Sequence, residues 1–211
     1  MPSPLDSIVF DLDGTLWNAT IPTADAWNAL LTEEGIAWGK VTPEDVASVT
    51  GMPHDAAVRK AFPGLDEASL QTLIRRSEVE DVRWIANHGA PLYPGVAAGL
   101  KALQDRYRLF IVSNCQSGYI ETFFATSGLQ SCFTDWECYG NTGMSKGENL
   151  RSVISRNGLQ APVMVGDTAG DEEAARSNNV PFAFVGYGFG SCTKADFRFA
   201  EFGELVRAFC P

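Results

Sequence analysis

From Pro91 onward the chain alternates short, unbroken apolar runs with stretches of helical periodicity, and this alternation most constrains its fold. The runs are Leu109-Phe110-Ile111-Val112, Val163-Met164-Val165 and Phe182-Ala183-Phe184-Val185. Each is strand-length, and a continuous apolar run suits a strand covered on both faces. Helical patterns lie between them: Val96, Leu100 and Leu103; Ile120, Phe123 and Phe124, ending at Gly128; a stretch from about Lys146 to Gly158; one from about Asp171; and a closing one from Glu201 to Phe209. Cys132-Phe133-Thr134 and Asp196-Phe197 read as weaker strands. With Ile8-Val9-Phe10 at the start, the pattern predicts an α/β fold, a Rossmann-like parallel sheet with helices on both faces.

The segment between the first strand and Pro91 follows a different rule. No strand candidate occurs between Trp17 and His88. Thr23 is placed to cap a helix carrying Ala26, Trp27, Leu30 and Leu31, with Gly35 as its stop. Thr42-Pro43-Glu44-Asp45 is a helix start, with proline in the first turn and acids at the positive end of the dipole. Gly51-Met52-Pro53 breaks that helix, another begins near His54, and Asp66 opens a longer one running to Gly89. Pro91-Leu92-Tyr93-Pro94-Gly95 marks the return to alternation. The expected organisation is a core domain of residues 1–16 and 90–211, with a small all-helical cap of residues 17–89 inserted after the first strand.

At 211 residues the chain has room for one domain with such an insertion. A net charge of −10 disfavours nucleic acid and anionic membrane as partners. It also means that an anionic substrate needs local positive charge. Residues 1–6 lack a basic region followed by an apolar stretch, so no signal peptide is expected. Five cysteines without C-x-x-C spacing and only two histidines argue against zinc, and reduced thiols in a cytoplasmic protein are expected. A monomer is the expected state, although oligomerisation is not readable from the chain.

Ligands of such sheets bind beyond the carboxyl ends of the strands. There the first strand delivers Asp11-Leu12-Asp13-Gly14-Thr15, a later one Ser113-Asn114, and another Gly166-Asp167-Thr168-Ala169-Gly170-Asp171. Taken singly each has an ordinary explanation. A serine at a strand end forms turns, Gly-Asp is a turn, Asp171 caps a helix, and a lysine such as Lys146 at a helix start is usually solvated. Three strands delivering polar groups to one edge is harder to assign to chance. Paired carboxylates there suit a hard divalent cation and nucleophilic or acid–base chemistry.

Asp11-Leu12-Asp13-Gly14-Thr15, Ser113-Asn114, Lys146, and Gly166-Asp167 followed by Asp171, in this order, resemble the haloacid dehalogenase superfamily, in particular its phosphoglycolate-phosphatase-like branch with a helical cap. The resemblance covers nearly the whole chain. It implies a phosphatase acting on a small phosphorylated metabolite. Asp11 would attack phosphorus, and Asp13 would protonate the leaving oxygen and then activate water. Mg²⁺ would be held by the Asp11 side chain, the Asp13 backbone carbonyl and Asp167, with Asp171 and Thr15 supporting from behind. Ser113, Asn114 and Lys146 would bind the phosphoryl group, helped by backbone N–H groups near Leu12 and Asn114.

Two positions depart from the family pattern. Gly147 follows Lys146 where relatives often carry proline, and Trp17 makes a bulkier hinge to the cap. The resemblance turns the Gly51-Met52-Pro53-His54 loop toward the active site, making His54, Arg59 and Lys60 candidate substrate contacts. On a helix, Arg59 and Lys60 are more simply solvent-facing. Gly186-Tyr187-Gly188-Phe189-Gly190 lacks dinucleotide-binding spacing and reads as a flexible loop near the catalytic edge. Trp27, Phe123, Phe124, Phe182 and Phe184 read as core. Two rival functions stay open, a phosphoryl-transferring mutase of the same fold and a non-catalytic metal-binding regulatory module; a third, a dehalogenase, is opposed by Asp13 and Asp167, which that chemistry does not need.

Overall fold

The computed structural model describes residues 5–210, so the leader reading of residues 1–6 falls largely outside the described residues. Six parallel strands form one sheet in the order β3-β2-β1-β4-β5-β6. They are β1 (Ser7–Phe10), β2 (Arg108–Ser113), β3 (Phe133–Cys138), β4 (Pro162–Gly166), β5 (Phe182–Val185) and β6 (Phe197–Phe199). The winding direction reverses between β1 and β4, which opens a crevice beyond their carboxyl ends. Register sets what enters that crevice. Phe10 pairs with Ile111 on one side and Val165 on the other, so the residues that follow leave the sheet at one level.

Side chains of β1 alternate between two cores, as the strand period requires. Ile8 and Phe10 join Leu109, Ile111, Val163 and Val165 beneath α5 (Val96–Leu103), α6 (Tyr119–Ser127) and α10 (Phe202–Phe209). Val9 joins Phe110, Val112, Met164 and Phe182 beneath α8 (Lys146–Asn157) and α9 (Ala169–Ser177). The central strands are therefore buried on both faces, as their unbroken apolar runs require.

The segment after β1 forms four helices, α1 (Thr20–Glu33), α2 (Pro43–Ala47), α3 (His54–Ala61) and α4 (Glu67–His88). They enclose a separate apolar cluster that includes Trp27, Leu30, Val58, Phe62 and Leu73. Two chain crossings join this insert to the sheet. Asn18 N donates to Pro91 O at 2.9 Å, and Tyr93 N donates to Leu16 O at 3.1 Å.

Some element boundaries differ from expectation. Thr23 lies inside α1 and is buried; the helix start is instead served by Asn18 Oδ1, which accepts from Thr20 N at 3.0 Å and Thr20 Oγ1 at 2.6 Å. Helix α9 begins at Ala169, two residues before Asp171, because Thr168 is its N-cap and Asp171 closes the capping box at the third position. Strand β3 extends to Cys138, well past Thr134. Its apolar pattern is masked by Asp135 and Glu137, edge-strand acids held by Arg156 at 2.7 and 2.6 Å. Short α7 (Tyr139–Thr142) follows directly and has no apolar signature.

Gly99 sits where α5 meets α10. A Cβ there would lie 2.6 Å from Phe202 Cε1 and from Val206 Cγ2, closer than packed atoms tolerate. Gly99→Ala is expected to destabilise the fold by about 1–3 kcal/mol, the usual cost of overpacking. Denaturant titration checks this, and an unchanged midpoint would show that α10 is not pinned there.

Candidate active site

Asp11 follows β1 directly, and its backbone N–H donates to Val165 O at 2.8 Å, which holds it between β1 and β4. Its side chain is buried, and Lys146, also buried at the start of α8, donates to its Oδ1 at 2.5 Å. The same Nζ donates to Asp171 Oδ1 at 2.6 Å. Asp171 therefore does two jobs. Its Oδ2 accepts from Thr168 N and Thr168 Oγ1 at 3.0 and 2.7 Å, closing the cap of α9, while Oδ1 fixes the lysine.

Asp167 leaves β4 at the same level. Its Oδ2 accepts backbone N–H groups of Phe189 at 2.7 Å and Gly190 at 3.3 Å. The glycine-rich loop after β5 thus lies at the catalytic edge, as expected, and is bound to it. A Cβ on Gly188 would sit 2.4 Å from Asp167, and one on Gly14, whose φ is +84°, would also sit 2.4 Å from it. Only glycine permits both backbones to approach this carboxylate so closely. Asp11, Asp167 and Asp171 can each place one carboxylate oxygen within 4.8 Å of the others. Two of the cluster's oxygens, Asp11 Oδ2 and Asp167 Oδ1, are buried without a hydrogen-bond partner.

Asp13 is held between the hinge and α6. Trp17 Nε1 and Tyr119 OH each donate to its Oδ1 at 2.9 Å. Indole N–H is only a donor, so a proton on the neutral acid belongs on Oδ2. Trp17 and Tyr119 were not legible as site residues. The bulk of Trp17 at the hinge was the one available signal.

The electrostatics follow from burial. Desolvation pushes Asp11 up to about 7 against the pull of Lys146. Asp13 is pushed up to about 7 by burial and then by the Asp11 charge. Asp167 is pushed up to about 7 by burial and then by Asp171. Burial also tends to neutralise Lys146, but the Asp11 and Asp171 carboxylates outweigh it and hold the ammonium charged.

Between this edge and the insert lies a cavity of about 80 Å³. Asp11, Asp13, Ser113, Asn114 and His54 line it, so the structure brings these predicted residues together. Ser113 Oγ accepts from Cys115 N at 3.3 Å. Asn114 spends its amide donor on Gly51 O, at 2.8 Å, and so clamps the insert to the core. His54 Nε2 meets Ser77 Oγ at 3.0 Å, and burial lowers its basicity. Thr15 is buried, and its carbonyl accepts from Tyr187 OH at 2.8 Å. Arg59 and Lys60 lie away from the cavity, on the insert surface, with Arg59 bonded to Glu67 and Lys60 to Ser48 O. Trp27 is core as expected, yet its Nε1 also donates to Asp81 Oδ2 at 3.3 Å on the cavity wall. Gly147 is explained by crowding, because a Cβ there would meet Ser177 Oγ at 2.8 Å.

A doubly wound parallel sheet presenting carboxylates and one lysine beneath a helical insert defines an α/β hydrolytic enzyme. The chain belongs to the haloacid dehalogenase-like hydrolase family, whose model matches residues 8–185. It is 30% identical over 199 residues to a phosphoglycolate phosphatase of Rhodospirillum rubrum, covering 87% of this chain and 80% of that one. It is 27% identical to the phosphoglycolate phosphatase of Agrobacterium fabrum, over 89% of this chain and 82% of that one. Among solved structures it is similar in fold to a haloacid dehalogenase-like family hydrolase from Streptococcus pneumoniae (TM-score 0.85, 18% identity, 98% and 99% coverage). It is also similar in fold to CbbY from Rhodobacter sphaeroides in complex with phosphate (TM-score 0.78, 18% identity, 95% and 96% coverage). Within the family it is a phosphatase, a phosphoric monoester hydrolase.

Carboxyls held near 7 when folded and near 3.8 when unfolded stabilise the fold at low pH, and this stabilisation is lost as pH rises through about 7. His54 works in the opposite sense, losing stability as pH falls below its unfolded value of 6.5, but it is one group against four, since burial raises the Asp81 carboxyl as well. In the absence of divalent cations, Tm is expected to rise as pH is lowered from 8 to 5, and Asp13→Asn is expected to flatten that rise. Differential scanning calorimetry reads both; a Tm that falls over this range would contradict the assigned electrostatics.

Proposed function

We propose that the protein is a Mg²⁺-dependent phosphatase that hydrolyses a small phosphorylated metabolite through a phosphorylated Asp11. One observation carries the reading. Lys146 occupies one oxygen of Asp11, while Asp11 Oδ2 and Asp167 Oδ1 are left buried and unpartnered. Orphaned carboxylate oxygens at such a site fit a hard cation, and Mg²⁺ favours oxygen donors. Asp11, Asp167 and the Asp13 carbonyl would hold it. When bound it supplies charge neutralisation for the phosphoryl oxygens and the carboxylates.

The protein groups then divide the work. Asp11 attacks phosphorus and forms an acyl phosphate as the P–O bond to the leaving group breaks. The leaving oxygen takes its proton from Asp13. A carboxyl raised to about 7 still holds a proton in a substantial fraction of molecules at neutral pH, which suits a general acid. Ionised after the first step, Asp13 takes a proton from water, which attacks phosphorus and releases Asp11 and phosphate. Lys146 holds Asp11 in place and offsets repulsion between carboxylate and phosphate. Ser113 Oγ, at the end of β2 and on the cavity wall, would bond the phosphoryl group. The helical insert acts as a cap over the cavity, and closure of this kind excludes bulk water.

No helix among the described residues is long and apolar enough to cross a membrane. All five cysteines are unpaired, which favours a cytoplasmic site of action.

Asp11→Asn is expected to lower kcat on p-nitrophenyl phosphate by at least about 10³-fold, because the amide is no nucleophile. EDTA is expected to abolish wild-type turnover, and Mg²⁺ to restore it. Substantial Mg²⁺-dependent turnover by Asp11→Asn would overturn the assignment of the nucleophile.

A further inference from the structure

The hinge tryptophan is a departure in sequence to which the reaction described above gives no task. Trp17 is fully buried where the chain leaves the sheet for the insert. Its backbone bridges Asp13 on one side and Leu92, on the returning crossing, on the other. Gly14 N donates to Trp17 O at 3.0 Å. The indole meets Tyr119 and Phe123 edge to face, with ring centroids 5.4 and 5.2 Å away. Backbone and ring are thus both held, and Nε1–H is delivered to Asp13 Oδ1 at 2.9 Å. Tyr119 OH reaches the same oxygen from α6, also at 2.9 Å. Oδ2 makes no hydrogen bond among the described residues. Asp13 lines the cavity together with Asp11 and Ser113.

Two donors on one oxygen break the symmetry of the carboxyl. A neutral carboxyl has one proton and two oxygens that can carry it. A phenol both donates and accepts, so Tyr119 by itself tolerates the proton on either oxygen. An indole N–H only donates. A proton on Oδ1 would meet it head-on and leave a buried N–H without an acceptor. Burial keeps the Tyr119 phenol protonated, and Asp81, kept neutral by burial with Gln116 beside it, brings no competing charge. Resting on the phosphatase reading above, we propose that Trp17 is a positioning residue: its indole N–H, seconded by Tyr119 OH, reserves Asp13 Oδ1 as an acceptor and assigns both proton transfers to Oδ2. As the bond from Asp11 to phosphorus forms and the bond from phosphorus to the leaving oxygen breaks, the Oδ2 proton passes to that oxygen. Oδ2 then takes a proton from the attacking water. Tyr119 supports this choice, and Trp17 makes it.

The test compares phenyl phosphate with p-nitrophenyl phosphate, using the purified protein and Mg²⁺. The two esters share a ring, but the nitro group spreads the charge of the leaving oxygen, so its departure depends less on a proton. The ratio of kcat/KM reads steps through loss of the leaving group and excludes the later attack of water. Trp17→Phe keeps an aromatic ring against Tyr119 and Phe123 and removes the N–H. It is expected to lower kcat/KM for phenyl phosphate at least about fivefold more than for p-nitrophenyl phosphate. Tyr119→Phe is expected to give a smaller bias in the same direction, at least about twofold, and Asp13→Asn a larger one. A merely structural role would lower both esters by the same factor in Trp17→Phe, which would overturn the proposal. A bias in Tyr119→Phe equal to or above that in Trp17→Phe would overturn the primacy of the indole. Should Trp17→Phe not fold, Tyr119→Phe decides, and equal factors for the two esters overturn the proposal. Bias in Asp13→Asn without bias in Trp17→Phe refutes the positioning role alone. No bias in Asp13→Asn, or failure of the folded wild type to hydrolyse either ester, refutes the phosphatase reading and the positioning role with it.

Discussion

Four buried groups, the carboxyls of Asp11, Asp167 and Asp171 and the ammonium of Lys146, set the terms for the rest of the molecule. One ammonium cannot satisfy three buried carboxyls, and burial makes ionising all of them expensive. The structure distributes the lysine between Asp11 and Asp171 and gives Asp167 two backbone N–H donors. What is left over is specific: one oxygen on Asp11 and one on Asp167. An enzyme that neutralises a phosphoryl group with a divalent cation needs such an imbalance before its ligands arrive.

The sheet makes that cluster possible. Asp11, Ser113 and Asp167 come from widely separated stretches and reach one crevice because β1 lies between β2 and β4. Close approach is then completed by residues without side chains. Gly14 and Gly188 bring backbone against Asp167 from two directions, and a methyl group at either would occupy space that the carboxylate fills. The insert contributes through Trp17, whose indole binds Asp13 within the same hinge that joins insert to core. Asp13 is therefore held partly by the insert's own first residue.

Much of this was legible in the chain, and the reasons differ by residue. Unbroken apolar runs gave β1, β2, β4 and β5 because those strands are buried on both faces. The acids after β1 and β4 stood out because the strand ends were clear. Strand β3 was cut short because an edge strand carries charges that hide its period. Asn18, a few residues before Thr23, serves the start of α1, and the sequence does not separate the two because a buried threonine and a capping threonine look alike in it. Tyr119, Asp81 and Gln116 gave no signal. Each lies on an element whose periodicity explains it as core or turn, and only tertiary packing brings them to one cavity.

The account rests on the two unpartnered oxygens being the seat of a cation. A crystal structure grown with Mn²⁺, located by its anomalous scattering, tests this without any assay of turnover. The account predicts one ion in contact with both Asp11 Oδ2 and Asp167 Oδ1, with Lys146 still on the other oxygen of Asp11. An ion bound elsewhere, with those two oxygens still lacking partners, would contradict it.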